Sequence, residues 1–210
     1  MYRSMIVALL CGLGAAGVLA QGVRNVEGCS IRRGTLCASA NLNGADLSGA
    51  DLAHSQFTRS VLSGANLSGA VFNEANLAST DLRDANLEAA SLVRINARSA
   101  RFNGSRLDNA NLSGAILQNA NFAGASLVGA NIAGADFTNA RLEKARFDGA
   151  DLSRANLRAT TLRGASFVGA NLQGANLTSA DLTDADLTDA NIDQAVFLRA
   201  RTSGCKGCPQ

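Results

Sequence analysis

Few side chains in this 210-residue chain could do covalent or redox chemistry. It has one histidine, His54, and five cysteines. A nucleophile needs a base within hydrogen-bond reach and a third group to orient that base. His54 has no cysteine near it and no evident orienting partner, so no catalytic pair is assignable and an enzyme is not expected. Carboxylates are plentiful, but they recur at regular outward slots with no concavity to shift their pKa values. Cys205-Lys206-Gly207-Cys208 has the spacing of a redox motif, yet no helix N-terminus is evident to depress a thiol pKa. Pro209 stands where a c-type haem site would need histidine. No catalytic residue and no cofactor are therefore expected.

Charge is the second kind of chemistry on offer. Arg94, Arg98, Arg101 and Arg106 run without an acid until Asp108, and Arg141, Lys144, Arg146, Arg154, Arg158 and Arg163 follow. Near the C-terminus come Asp181, Asp184, Asp186, Asp189 and Asp193, with no basic residue close by in sequence. The net charge is only +2. A basic middle and an acidic end favour charged partners or end-to-middle self-association; the alternative is ordinary solvated faces.

These groups are positioned by a five-residue period. Every fifth residue from Leu42 to Phe197 gives 32 positions, holding 21 Leu, 8 Phe, 2 Ile and Ala97. Two residues before each, 26 of 32 are Ala; the exceptions are Ser55, Ser60, Thr80, Ile95, Ser105 and Thr160. On an α-helix such a period rotates the apolar position by ~140° per repeat and no face collects it. On a continuous strand an odd period sends successive Leu to opposite faces. A chain that turns after every five residues points both apolar positions inward each time, which predicts a coil filled by its own side chains. Every Gly between Ala40 and Ala200 sits two after a central residue, where the chain must bend. The residue just before each centre is Asn or Asp in 19 of 32 repeats. In that slot Asn111, Asn131, Asp151, Asn171 and Asn191 form either an exposed ladder or, as expected, partners for backbone at the turns.

Segments such as 45–49 (ADLSG), 65–69 (ANLSG) and 185–189 (ADLTD) resemble the signature of pentapeptide repeat proteins. The resemblance implies an all-β fold, a right-handed quadrilateral β-helix with four pentapeptides per coil, hence about eight coils and a rod of ~40 Å. In that register Arg101 lies two coils from Arg141 and Arg106 two from Arg146, so these four mark a candidate interaction edge. Registers twenty apart stack, and the column holding Ala97 would lack volume that Ile95 restores nearby. Opposite ends of such a rod are too far apart for one disulfide, so Cys29 is expected to pair with Cys37 and Cys205 with Cys208. The same distance removes a four-cysteine zinc site within one molecule, and no metal is expected. Redox or intermolecular metal chemistry at Cys205 and Cys208 stays open. Some members of this family mimic duplex DNA and bind DNA gyrase; that mimicry needs a strongly anionic surface, which this composition does not supply.

The first twenty residues read as an export signal, with Arg3, an apolar run from Met5 to Ala20 and a small-x-small ending before Gln21. The run holds Cys11, and Gly12, Gly14 and Gly17 make it a poor membrane span. Four cysteines beyond it suit an oxidising compartment. The expected organisation is a signal over 1–20, an N-terminal cap over 21–39, the repeat array over 40–200 and a C-terminal cap over 201–210. The expected product is a periplasmic or secreted, non-catalytic scaffold or interaction module, with a protein or anionic envelope component as partner. Nucleic acid is not expected: every Phe is assigned inward, and Tyr2 would leave with the signal.

Overall fold

The computed structural model describes residues 24–209. The apolar N-terminal run, Cys11 and the proposed cleavage point lie outside the described residues. The chain enters through a hairpin, β1 (Arg24–Val26) antiparallel to β2 (Cys29–Ile31). Beyond it, among the described residues, no strand runs longer than an isolated bridge. Each residue preceding a centre pairs in parallel with the residue twenty further on, from Leu36↔Gln56 to Asp186↔Lys206, in four columns. The backbone thus returns beside itself after every four repeats.

The hydrogen bonds explain why five residues suffice. The central N–H donates forward to the next coil (Leu42 N to Val61 O, 2.7 Å), as does the corner N–H (Gly44 N to Ser63 O, 2.9 Å). The N–H before the centre donates back (Val61 N to Ala40 O, 2.9 Å), and the Ala-slot N–H closes the turn onto the preceding centre (Ala45 N to Leu42 O, 3.1 Å). One N–H per repeat is left over, on the residue after the centre, and a buried or half-buried donor needs a partner. At all 19 Asn and Asp positions the side-chain Oδ1 accepts that N–H, at 2.9 to 3.4 Å. Behind Ser91 and Ser126 a neighbouring coil substitutes: Asn73 accepts from Val93 N and Asp108 from Val128 N, both at 3.1 Å.

Centres from Leu42 to Leu187 are essentially unexposed, as are the Ala slots from Ser55 to Ala185; Ala40, Ala45 and Ala50 are only partly buried. Phenylalanines twenty apart stack: Phe102 on Phe122 at 4.4 Å between centroids, Phe147 on Phe167 at 4.8 Å. Hydroxyls in Ala slots are satisfied locally, Ser60 donating to Cys37 O and Thr80 to Phe57 O. Ile95 and Ala97 are both fully buried and the ladder passes through them unbroken, Ala97 N donating to Ile116 O at 2.8 Å.

Glycine is less necessary at the corners than the sequence suggests. Gly44 has φ 65°, but Ala89 (55°), Arg94 (54°) and Ala159 (54°) hold the same left-handed conformation in the same slot. The coil imposes that conformation because the ladder bonds on either side fix the corner, and L-residues there cost roughly 1–2 kcal/mol each.

The backbone ladder does not end where the Leu pattern does, at 40 and 200. The ladder runs from Leu36 to Lys206, with Cys37 and Thr202 in central slots. The backbone bonds need only the turn geometry, so the coil outlasts the Leu pattern at both ends. Disulfides Cys29–Cys37 and Cys205–Cys208 have Cα separations of 5.6 and 5.8 Å. Cys29 and Cys37 are buried against the first coil, whereas Ile192, Phe197, Cys205 and Cys208 are only partly covered, so the C-terminal end is the more open.

Candidate interaction surfaces

Arg101 and Arg141 share one bridge column, and Arg106 and Arg146 share the next. The four therefore straddle two adjacent sides, and none stands uncompensated. Arg101 lies 3.7 Å from Asp81, Arg106 3.2 Å from Glu88 and 3.8 Å from Asp108, Arg141 3.5 Å from Glu143, and Arg146 3.0 Å from Asp148. Two of these partners, Asp81 and Glu88, come from 20 and 18 residues away, a spacing that only the coil makes local.

The same spacing corrects the acid-only C-terminal end. Asp181 accepts from Arg163 at 2.7 Å and has Arg201 at 3.8 Å; Asp186 has Lys206 at 3.5 Å. The Thr183 hydroxyl, then Arg163, hold the Asp181 carboxyl down at about 2. Asp186 is lowered by Thr188 and Lys206, and Asp81 by the Arg83 guanidinium. Burial alone would raise Asp136, but bonds from Thr138 and Gln118 lower it. Among the described residues Asp184, Asp189 and Asp193 have no cation within ion-pair range, so the uncompensated acid is confined to these three on the last coil.

Asn111, Asn131, Asp151, Asn171 and Asn191 form a column in which each Oδ1 caps its own turn. Asn171 Nδ2 also donates to Asp151 Oδ1 at 3.0 Å, and Asn191 Nδ2 to Asn171 Oδ1 at 3.2 Å. Every Oδ1 of the column, and the Nδ2 of Asn171 and Asn191, is thus occupied by the fold.

His54 occupies a corner with φ 58°. Arg33 Nη2 lies 2.7 Å from His54 Nε2, and Glu74 Oε2 lies 3.3 Å from Nδ1. A guanidinium only donates, so Nε2 accepts and the ring proton sits on Nδ1 facing Glu74. The histidine is oriented, but what stands beside it is an exposed arginine and a glutamate, with no nucleophile. Among the described residues no group of three His, Cys, Asp or Glu is arranged to hold a metal ion.

A profile for a pentapeptide repeat region matches residues 37–112, and one for pentapeptide repeats matches overlapping segments from 105 to 201. The chain belongs to the pentapeptide repeat family. No curated protein matches this family member. Among solved structures it is similar to HetL, a pentapeptide repeat protein involved in heterocyst differentiation regulation from the cyanobacterium Nostoc sp. strain PCC 7120, at 29% identity over 83% of this chain and 91% of that one, with a TM-score of 0.41. It is also similar to a trypsin-treated form of QnrB1, a plasmid-mediated fluoroquinolone resistance protein, at 22% identity over 83% of this chain and 90% of that one, with a TM-score of 0.67. A third is a pentapeptide repeat protein of the Arabidopsis thaliana thylakoid lumen, at 40% identity over 40% of this chain and 63% of that one, with a TM-score of 0.34. The matched family is one of repeats, not of a catalytic fold.

Proposed function

We propose that this chain is an exported, non-catalytic scaffold: a right-handed quadrilateral β-helix of about eight coils whose rigid sides hold protein or envelope partners. The reading is carried by the unbroken ladder from Leu36 to Lys206. A backbone paired to itself at every coil keeps its sides rigid, so side chains on them are preorganised for contact at little entropic cost. The twenty-residue pairing supports the four-sided cross-section, and the family resemblance supports the handedness. Export is supported by the signal-like run over 1–20 and by the two disulfides, which suit an oxidising compartment.

The edge of Arg101, Arg106, Arg141 and Arg146 is the candidate protein contact. Its guanidiniums are held by carboxylates, so a partner there must offer acid of its own to compete. A DNA-mimicking, gyrase-binding role would require an anionic exterior, against a net charge of +2. N-terminal sequencing of the chain recovered from fractionated cells tests the proposal. It should begin at Gln21 in an extracytoplasmic fraction; a cytoplasmic chain beginning at Met1 refutes export.

A further inference from the structure

One side of the coil concentrates two features that are sparse on the others. It is the side whose bridge column runs from Leu36 to Val196. Of the large apolar side chains that stand exposed, Leu36 (83%), Val196 (46%) and Leu198 (62%) are on this side, at its two ends; the other, Val168, is elsewhere. Arg98 and Arg158 also lie on it, with Arg154 at one bounding corner and Arg59 and Arg199 at the other. Among the described residues none of these five arginines has a carboxylate within ion-pair range, and in the rest of the coil only Lys144 shares that condition. Arg98 donates to Gln118 Oε1 at 3.0 Å. The acids nearby are already engaged: Asp136 by Gln118, Thr138 and Asn156, and Glu74 by His54 and Arg94.

A protein partner is matched by an apolar centre with a polar rim. This side has nearly the reverse: its exposed apolar groups stand ~38 Å apart at its ends, eight coils at ~4.8 Å each, and between them only the half-buried Ile116 interrupts amides and guanidiniums. A fluid anionic surface accepts separated apolar insertions and offers phosphates anywhere between them. We propose that this side is a docking surface for an anionic lipid bilayer. Leu36 and Leu198 enter the boundary between headgroups and acyl chains, while Arg98, Arg154 and Arg158 bind headgroup phosphates. The rod lies flat on the surface; among the described residues no helix is long and apolar enough to cross a membrane. The inference rests on the scaffold reading only for the rod itself, and vesicle binding can fail while export and the non-catalytic rod stand.

The test is flotation of the full chain, as isolated from cells, with vesicles of phosphatidylcholine alone or with about 30% phosphatidylglycerol. The wild type should float with the phosphatidylglycerol vesicles and barely with phosphatidylcholine. At about fivefold per cation, R98Q/R154Q/R158Q should lower partition about a hundredfold with the circular dichroism spectrum unchanged. L36S/L198S should lower the binding that persists in high salt. R101Q/R106Q/R141Q/R146Q removes more arginines from other sides, and should lower partition less than the three-arginine variant. No flotation of the wild type, or an equal or greater loss in that control, overturns the proposal. So does binding to polyglutamate without binding to vesicles, which would make the partner an acidic protein.

Discussion

Ile95 and Ala97 reverse the usual sizes of the two inward slots, and both are fully buried. Exchanging a usual Ala-x-Leu for Ile-x-Ala conserves the carbon count, since Ile and Leu each exceed Ala by three carbons. Ile95→Ala alone removes those carbons from a sealed bore. The transfer part is about 2.4 kcal/mol at ~0.8 per carbon, and the residual cavity brings the total to about 3–4 kcal/mol. Ala97→Leu alone forces three carbons into a filled coil, at a cost of about 1–3 kcal/mol. The double variant restores the common pattern and its volume, and should cost under about 1.5 kcal/mol. The cycle therefore predicts a favourable coupling of at least about 2 kcal/mol, beyond the ~0.5 kcal/mol within which independent sites add. Equilibrium urea unfolding followed by far-ultraviolet circular dichroism, with the disulfides intact and slopes equal across the four proteins, measures it. A double variant as unstable as the sum of its parents would show that the two departures do not share a space.

Gly207 has φ 71°, and a Cβ there would sit 2.6 Å from the backbone oxygen of Leu187 and 2.7 Å from its carbonyl carbon. Gly44 has a similar φ with nothing within 4 Å. Gly207→Ala should therefore loosen the C-terminal coil, speeding hydrogen exchange over residues 187–206 at least tenfold, about 1.4 kcal/mol or more; Gly44→Ala should show only the cost of its corner. Equal exchange in the two variants would refute the clash. The Asp181 carboxyl is depressed from an ordinary 3.8 to about 2. Its contribution is thus fully present above about pH 4 and is lost as pH falls through about 2. The stability gap between wild type and Asp181→Asn should narrow over that window in unfolding midpoints taken from pH 5 to 2, and a gap independent of pH would contradict it.

The inward set was legible because five-residue repetition has one physical solution once helix and straight strand are excluded, and every Leu and Phe from Leu42 to Leu187 is buried accordingly. The ends were less legible. The sequence marks burial, whereas Cys37, Thr202 and Lys206 continue the coil through backbone bonds that any residue supplies. Charge pairing is hard to read from the sequence for a related reason. Arg163 and Asp181 are 18 apart in sequence but share a bond of 2.7 Å, so clusters counted along the chain mix neighbours with strangers. The Asn and Asp before the centres read as turn residues from type alone, though the single stranded amide per repeat emerges only from the complete set of bonds.

The twenty-residue return of the backbone has an evolutionary corollary. Losing five residues keeps every leucine facing the bore but swings everything downstream by a quarter turn, carrying Arg158 away from the line of Arg98. Losing twenty merely shortens the rod and leaves each side's decoration aligned. Lineages can thus trim or extend such a chain freely only in whole turns, and a binding strip that must stay straight would impose that quantum on insertions where the interior alone would tolerate a quarter of it.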